Sequence, residues 1–288
     1  MTVASRRRRS LITVLVLGVL TAIVGGVLTY YWPAVYAALE HEVIRAERSK
    51  RWSLAATGQP LPGTPDLANL PGRLASRELE IGAPVFMRIF KREFELELWM
   101  LRDGSFHRFA TYPICLWSGH LGPKHKEGDR QAPEGFYTVD SKALNPASKY
   151  HRSFNLGFPN TFDRAHHRSG SFLMVHGGCA SIGCYAMTDA VIDEIWTFVT
   201  AALKSGQERF QVQVFPFRMT DRNMALHAHS ADAPFWQQLK QGHDLFEQDL
   251  LPPRVSVCQG RYVFQGAGTI RDGSAVIAND CSVATAGR

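Results

Sequence analysis

The sequence has no glycine pattern that would hold a nucleotide cofactor. Neither a G-x-G-x-x-G run nor a P-loop occurs in its 288 residues, and those patterns bind dinucleotides and nucleoside triphosphates. No internal repeat is present either. We therefore expect a chemistry that uses no cofactor.

The chain also lacks a basic surface of the kind that binds nucleic acid. Its formal net charge is +6, but four of these charges belong to the consecutive residues 6–9, all arginine, which leaves only +2 for the remainder. No RNA- or DNA-binding motif accompanies them. Apolar residues at 45% and charged residues at 20% instead indicate an ordinary folded protein without a nucleic-acid partner.

The five cysteines contain no C-x-x-C pair, so the usual spacing of a structural zinc site is missing. His176, Cys179 and Cys184 remain a weaker alternative set of ligands, and we predict no metal. An odd number fits one reactive thiol plus pairing among the other four, although several could be small buried side chains. Those four are Cys115, Cys179, Cys258 and Cys281.

The N-terminus predicts a membrane anchor over residues 1–37. An apolar run extends from Leu11 to Trp32 behind the arginines, with no charge before Glu40. It reaches the roughly 20 residues that cross a bilayer, and the charge asymmetry places the N-terminus inside. We expect an inner-membrane anchor and a periplasmic catalytic domain. Signal-peptide cleavage after Ala37 is the alternative.

Beyond the anchor, composition divides the chain into four segments. Residues 38–83 are rich in proline and glycine and predict an extended linker or stalk. Residues 84–220 predict the catalytic domain, 221–265 an extension packed on it, and 266–288 a disordered tail.

The catalytic segment predicts a mainly β fold with one or two packed helices. Apolar residues alternate from Val85 and again from Phe94, and Asp103-Gly104 marks a hairpin turn before Phe106. A helical apolar pattern begins near Val191.

The run His176-Gly177-Gly178-Cys179-Ala180-Ser181-Ile182-Gly183-Cys184-Tyr185-Ala186-Met187-Thr188-Asp189 predicts the reactive centre. A cysteine nucleophile needs a nearby base and backbone N–H groups aimed at the developing oxyanion. Cys184, just before the predicted helix, is the expected nucleophile, because a helix N-terminus lowers a thiol pKa. His176 is the expected base.

Other interpretations of the same region stay open. Cys179 could pair with Cys184 in a disulfide. Asp189, Asp193 and Glu194 could be acid or base residues, although a solvated first helical turn explains them as well.

The central run resembles the signature of the L,D-transpeptidase (YkuD-like) family, and its longer form through Asp189 resembles the YafK-type branch. Three other stretches also resemble this family: residues 128–137, 153–160 and 215–220. Ala132 stands where the family usually has threonine. Together the stretches cover roughly residues 84–264.

The resemblance implies a β-sandwich domain that acts on peptidoglycan stem peptides at meso-diaminopimelate. It implies Cys184 as nucleophile, His176 as base, the Gly177 carbonyl as orienting group, and Ser181 shaping the loop. Backbone N–H groups around Gly183 and Cys184 would form the oxyanion hole.

The resemblance also leaves the substrate contacts open. Arg130, Lys124 and Tyr185 are the expected substrate-binding residues. Arg130 and Lys124, with Lys126, could equally belong to a solvated basic loop.

Ala186 departs from the wider family, which usually carries arginine there. A guanidinium could hold a substrate carboxylate, so its absence puts 3-3 cross-linking in doubt. The resemblance to the YafK-type branch implies amide hydrolysis instead, for example release of a covalently attached envelope protein. Formation of 3-3 cross-links or attachment of proteins to peptidoglycan is the first alternative, and an inactive peptidoglycan-binding module the second.

Overall fold

The computed structural model describes residues 3–266, 269 and 273–282, except for the side chains of 3–15, 27–30 and 33–34. Its strands are β1 (Val85–Phe90), β2 (Glu95–Arg102), β3 (Ser105–Pro113), β4 (Leu116–Trp117), β5 (Gly135–Asp140), β6 (Leu144–Ser148), β7 (His151–Asn155), β8 (Met174–His176), β9 (Tyr185–Ala186), β10 (Arg209–Phe215), β11 (Arg254–Cys258), β12 (Arg261–Gln265) and β13 (Ala278–Asn279). Its helices are α1 (Val3–Ala56), α2 (Leu70–Ala75), α3 (Thr161–Ala165), α4 (Asp189–Lys204), α5 (Asp221–Leu226) and α6 (Ala233–Asp249). Short 3-10 turns cover Leu67–Asn69 and Ser141–Ala143.

The strands form two five-stranded sheets and one smaller sheet. The first has the order β3-β2-β1-β10-β5, the second β4-β9-β8-β7-β6, and the third β12-β11-β13. The fold is therefore mainly β, as predicted. Within the catalytic segment lie two α-helices, α3 and α4, as predicted, and the other described α-helices lie outside it.

The first sheet is buried on both faces, which explains why its central strand β1 is apolar at almost every position. Phe86 of β1 packs against Phe246 of α6, with ring centroids 4.6 Å apart. Phe109 of β3 packs against Phe198 of α4 at 4.7 Å. The predicted hairpin turn is confirmed: Asp103 has a φ of 50° and Gly104 of 81°, the pair of positive values that a two-residue hairpin requires.

The segment 38–83 is not the extended stalk that its prolines predict. Helix α1 continues to Ala56, and residues 46–83 belong to the same unit as the sheets. Arg51 pairs with Glu47 one helical turn away at 2.8 Å and donates to the Ile114 carbonyl at 2.9 Å. The Arg51 guanidinium thus binds residues 46–56 of α1 to the domain.

The predicted anchor finds no support in the structure. Within the described part of the chain, no helix has an apolar stretch long enough to cross a membrane. Part of the anchor, including the side chains of 3–15, lies outside the described residues.

The C-terminal extension shares an aromatic core with the first sheet. Phe162 stacks on Tyr262 of β12 at 4.1 Å, and Phe136 of β5 meets the same ring at 5.1 Å. The predicted disorder of 266–288 is wrong for 273–282, because β13 pairs with β11 and Cys281 bonds to Cys258. The other residues of that tail, apart from 266 and 269, lie outside the described residues.

Candidate active site

The central run folds as a strand, a loop, a short strand and a helix. Strand β8 ends at His176, and β9 follows the loop before α4 begins at Asp189. In the parallel pair β8·β9, His176 lies opposite Ala186. Cys184 lies two residues before Ala186, at the end of the loop that leads into β9.

The imidazole of His176 is held by the next residue of the chain. Its Nδ1 lies 2.6 Å from the Gly177 carbonyl oxygen. A carbonyl only accepts, so Nδ1 carries the proton and Nε2 keeps its lone pair. The side chain is 3% exposed. This tautomer is the one that a general base needs.

Cys184 is the free thiol among the described residues. The Met174 N–H donates to Sγ at 3.4 Å, and the thiol donates to the Phe172 carbonyl at 3.5 Å. The thiol is therefore tethered to the strand that carries His176.

Burial keeps both groups of the pair neutral. It raises the pKa of the Cys184 thiol, and the Met174 N–H and the Lys124 ammonium lower that pKa by less. Burial also lowers the pKa of His176, against the raising effect of the Gly177 carbonyl. The predicted helix-dipole activation is wrong, because β9 separates Cys184 from the start of α4.

Ser181 braces the turn that carries the nucleophile. Its hydroxyl donates to the Cys184 carbonyl at 2.7 Å and lies 3.2 Å from the Ser118 hydroxyl. The Gly183 N–H donates to the Ser181 hydroxyl oxygen at 3.3 Å. Gly183 has a φ of 146°, which only glycine adopts without strain. In the resting structure one predicted oxyanion donor is thus already engaged.

Asp189 fixes the other end of the loop. Its Oδ1 accepts the Gly178 N–H at 2.8 Å. A Cβ at Gly177 would lie 2.6 Å from the same oxygen, so the backbone passes too close for any larger residue. Asp189 is exposed in the first turn of α4, as the solvated-turn interpretation predicted, and it also holds the loop through this hydrogen bond.

Disulfides settle the alternatives for the remaining cysteines. Cys115 bonds to Cys179, and Cys258 to Cys281. The pairing of four cysteines around one free thiol is confirmed. Cys179 is thereby removed both from the alternative zinc ligands and from a bond to Cys184.

The three predicted substrate contacts are placed very differently. Arg130 is exposed on the long loop. Lys124 is buried and pairs with Asp129, so its ammonium is not free to bind substrate. Tyr185 is also buried, and its hydroxyl donates to the Pro133 carbonyl at 2.7 Å. The structure therefore corrects the expectation for Lys124 and Tyr185.

Tyr150 is a site residue that the sequence did not reveal. It lies in the turn between β6 and β7, and its ring centroid is 5.0 Å from that of His176. The ring is 44% exposed, so it forms a wall of the site. Only the register of β7 against β8 brings it there, and no sequence motif marks it.

A buried ion pair shapes the loop in front of the site. Lys91 Nζ lies 2.9 Å from Glu134 Oε1 and donates to the carbonyls of His120 and Ala132 at 2.8 and 3.1 Å. Trp236 of α6 donates to the other Glu134 oxygen at 2.8 Å. The pair thus joins the first sheet, the long loop and the C-terminal extension.

Two comparisons relate this chain to known proteins. Residues 85–214 match the L,D-transpeptidase catalytic domain described as YkuD. The chain is similar to the "Putative L,D-transpeptidase YafK" of Escherichia coli K12, with 52% identity over 183 residues, 64% of this chain and 74% of that protein.

Two solved structures share lower similarity. One is a single-residue mutant of the helical cell shape determining protein Pgp2 from Campylobacter jejuni, with 18% identity, a TM-score of 0.39, and coverage of 65% of this chain and 69% of that one. The other is Bd1075 of Bdellovibrio bacteriovorus, with 15% identity, a TM-score of 0.34, and coverage of 58% and 62%.

Proposed function

Because this chain belongs to the family of L,D-transpeptidase catalytic domains, we propose that it is a cysteine hydrolase acting on peptidoglycan stem peptides. It cleaves an amide at meso-diaminopimelate through a thioester on Cys184. Release of a covalently attached envelope protein is the physiological form of this reaction. The observation that carries the proposal is the free Cys184 thiol, which is hydrogen-bonded to the strand that ends at a histidine whose tautomer is fixed as a base.

The first half-reaction makes the thioester. Cys184 Sγ attacks the carbonyl carbon at the L-centre of meso-diaminopimelate while His176 Nε2 takes the thiol proton. The oxyanion then collapses, and the amine leaves with the proton that His176 returns. Both groups start neutral, so proton transfer accompanies the attack rather than preceding it.

The second half-reaction consumes water. His176 Nε2 takes a proton from the attacking water and delivers it to the departing sulfur, which restores the thiol and leaves a carboxylic acid that then loses its proton to solvent. The Cys184 N–H and the Gly183 N–H stabilise the oxyanion in both halves. Gly183 exchanges its bond to Ser181 for the substrate oxygen.

Ala186 supports hydrolysis over cross-linking. It is fully buried opposite His176 and places only a methyl group there. The position where the family pattern has arginine thus offers no guanidinium to hold an acceptor carboxylate. As the acyl acceptor, water needs fewer binding contacts than a second stem peptide does.

We also propose that the protein works outside the cytoplasm, in the periplasm, where peptidoglycan is found. Two disulfides support this location, because such bonds persist in oxidising compartments and are rare in the cytosol.

Product analysis tests the proposal. The full chain is incubated with defined muropeptides and with protein-linked sacculi, and the products are resolved by mass. Water-derived carboxylates are expected with the native chain and none with Cys184→Ala. Muropeptide dimers or new protein adducts would establish the transferase instead. Binding to sacculi without any product would indicate an inactive peptidoglycan-binding module instead.

A further inference from the structure

The loop that carries the nucleophile is closed by a covalent bond. Cys179 lies five residues before Cys184, and its sulfur bonds to Cys115. Cys115 immediately precedes β4, whose residue Trp117 pairs with Tyr185 of β9. The bond therefore ties the start of the loop to the strand beside its end.

Backbone hydrogen bonds complete this closure. The Cys115 N–H donates to the Ala186 carbonyl at 2.8 Å, and the Cys179 N–H donates to the Met187 carbonyl at 3.2 Å. Residues 179–187 thus form a ring whose two ends meet, with Cys184 inside it. The disulfide and these two hydrogen bonds therefore hold the same loop that carries the Cys184 thiol.

Cys179 is held in a backbone conformation that it would leave if released. Its φ is 40°, in the left-handed region that non-glycine residues seldom occupy, directly after Gly178 at 78°. Such conformations persist when surrounding bonds enforce them.

The disulfide can be reached from solvent. A cleft of about 390 Å³ is lined by Trp52, Ala55 and Ala56 of α1 on one side and by Gly178, Cys179, Thr188 and Asp189 on the other. Trp52 is 58% exposed and Cys179 is partly exposed. Cys179 is therefore the solvent-facing half of the disulfide, since Cys115 is fully buried.

We propose that the Cys115–Cys179 disulfide positions the catalytic loop, so that oxidation of this pair controls the reactivity of Cys184. The inference rests on the proposed function for its activity readout. A dithiol supplies two electrons and two protons, which convert the disulfide into two thiols, and the dithiol itself becomes a disulfide. Reduction releases Cys179 and displaces Cys184 from His176.

The test compares two double variants of the full chain, Cys115→Ser/Cys179→Ser and Cys258→Ser/Cys281→Ser. The second removes the disulfide between β11 and the β13 region, away from the loop. The first variant should lower kcat on a defined muropeptide about 100-fold with KM changed less than about threefold, since misplacement by about 1 Å costs that much. The control variant should stay within about twofold on both constants.

Alkylation of Cys184 by iodoacetamide, followed by mass spectrometry across a pH series, provides a readout that needs no substrate. The loop variant should show a changed pH profile at Cys184, and the control variant the native one. Equal profiles and equal kcat in both variants would overturn the inference. If the native chain cleaves no muropeptide, the proposed function fails while the alkylation comparison still decides the inference.

Reduction of the native chain covers the case in which the loop variant does not fold. Dithiothreitol should change the Cys184 alkylation profile in the native chain and in Cys258→Ser/Cys281→Ser alike, and reoxidation should restore it. An unchanged profile after complete reduction of Cys115–Cys179, verified by mass, would overturn the inference.

Discussion

The carboxylate of Asp189, the first residue of helix α4, accepts the backbone N–H of Gly178 at 2.8 Å. This bond connects a rigid helix to the loop directly after the general base. The Gly177 carbonyl that orients His176 lies in the same peptide unit as the Gly178 N–H, so one carboxylate fixes the plane of that peptide.

Asp189→Ala is expected to lower kcat about tenfold while leaving KM nearly unchanged. Loss of the acceptor leaves the Gly177–Gly178 peptide free to rotate, and a hydrogen bond to a charged carboxylate contributes about 1.5 kcal/mol. Asp189→Asn keeps an acceptor oxygen and should retain most of the activity. Steady-state kinetics on a defined muropeptide makes the comparison. Equal losses in the two variants would show that the charge of Asp189, not its hydrogen bond, matters.

The pH dependence of alkylation should report a neutral thiol. Because burial raises the pKa of Cys184, its alkylation rate should still be rising above about pH 8.5, the ordinary thiol value. Because burial lowers the pKa of His176, the acid limb of kcat/KM should lie below about pH 6.5. A plateau of alkylation reached near neutral pH would instead indicate a preformed thiolate–imidazolium pair.

Lys124→Met should move the alkylation profile of Cys184 to still higher pH. The Lys124 ammonium lowers the thiol pKa through its charge, and methionine fills a similar volume without that charge. Lys204→Met is the matched control, because Lys204 is exposed at the far end of α4, about 22 Å along the helix from Asp189. A profile in Lys124→Met that matches the control would remove Lys124 from the electrostatics of the site.

Lys91→Met should destabilise the fold by about 3–5 kcal/mol, the usual cost of leaving a buried charge without its partner. Both Lys91 and Glu134 are fully buried. Arg108→Met is the matched control: its side chain is 49% exposed, and its partner Glu97 keeps Arg88. The control should cost less than about 1 kcal/mol. Urea unfolding measures the free energy of unfolding of both variants. Equal midpoints would contradict the assigned role of the Lys91–Glu134 pair.

The sequence predicted those parts of the fold that depend on local pattern. Alternation from Val85 and the Asp103-Gly104 turn specify the first hairpin, because period and turn chemistry act over a few residues. The apolar spacing from Val191 likewise predicted α4. The spacing of His176 and Cys184 in a glycine-rich run was enough to mark them as candidates.

The parts that escaped prediction depend on contacts between distant segments. Tyr150 reaches His176 only through the register of β7 on β8, and Lys91 meets Glu134 across 43 residues. The thiol pKa was predicted in the wrong direction, because burial depends on the packed structure and outweighs the nearby charge. The packing of 46–83 was missed because it depends on contacts of Arg51 and Arg73 with distant residues, and because Pro71 lies in the first turn of helix α2 rather than in an extended chain.

Trapping the acyl-enzyme tests the central claim most directly. The native chain is mixed with a muropeptide whose meso-diaminopimelate carries an amide at its L-centre, quenched in acid within the first turnovers, and mapped by mass spectrometry. We predict an adduct on Cys184 that neutral hydroxylamine removes, as for a thioester, and that decays in water to a free carboxylate. Turnover without any adduct on Cys184, or equal turnover by Cys184→Ala, would contradict the mechanism.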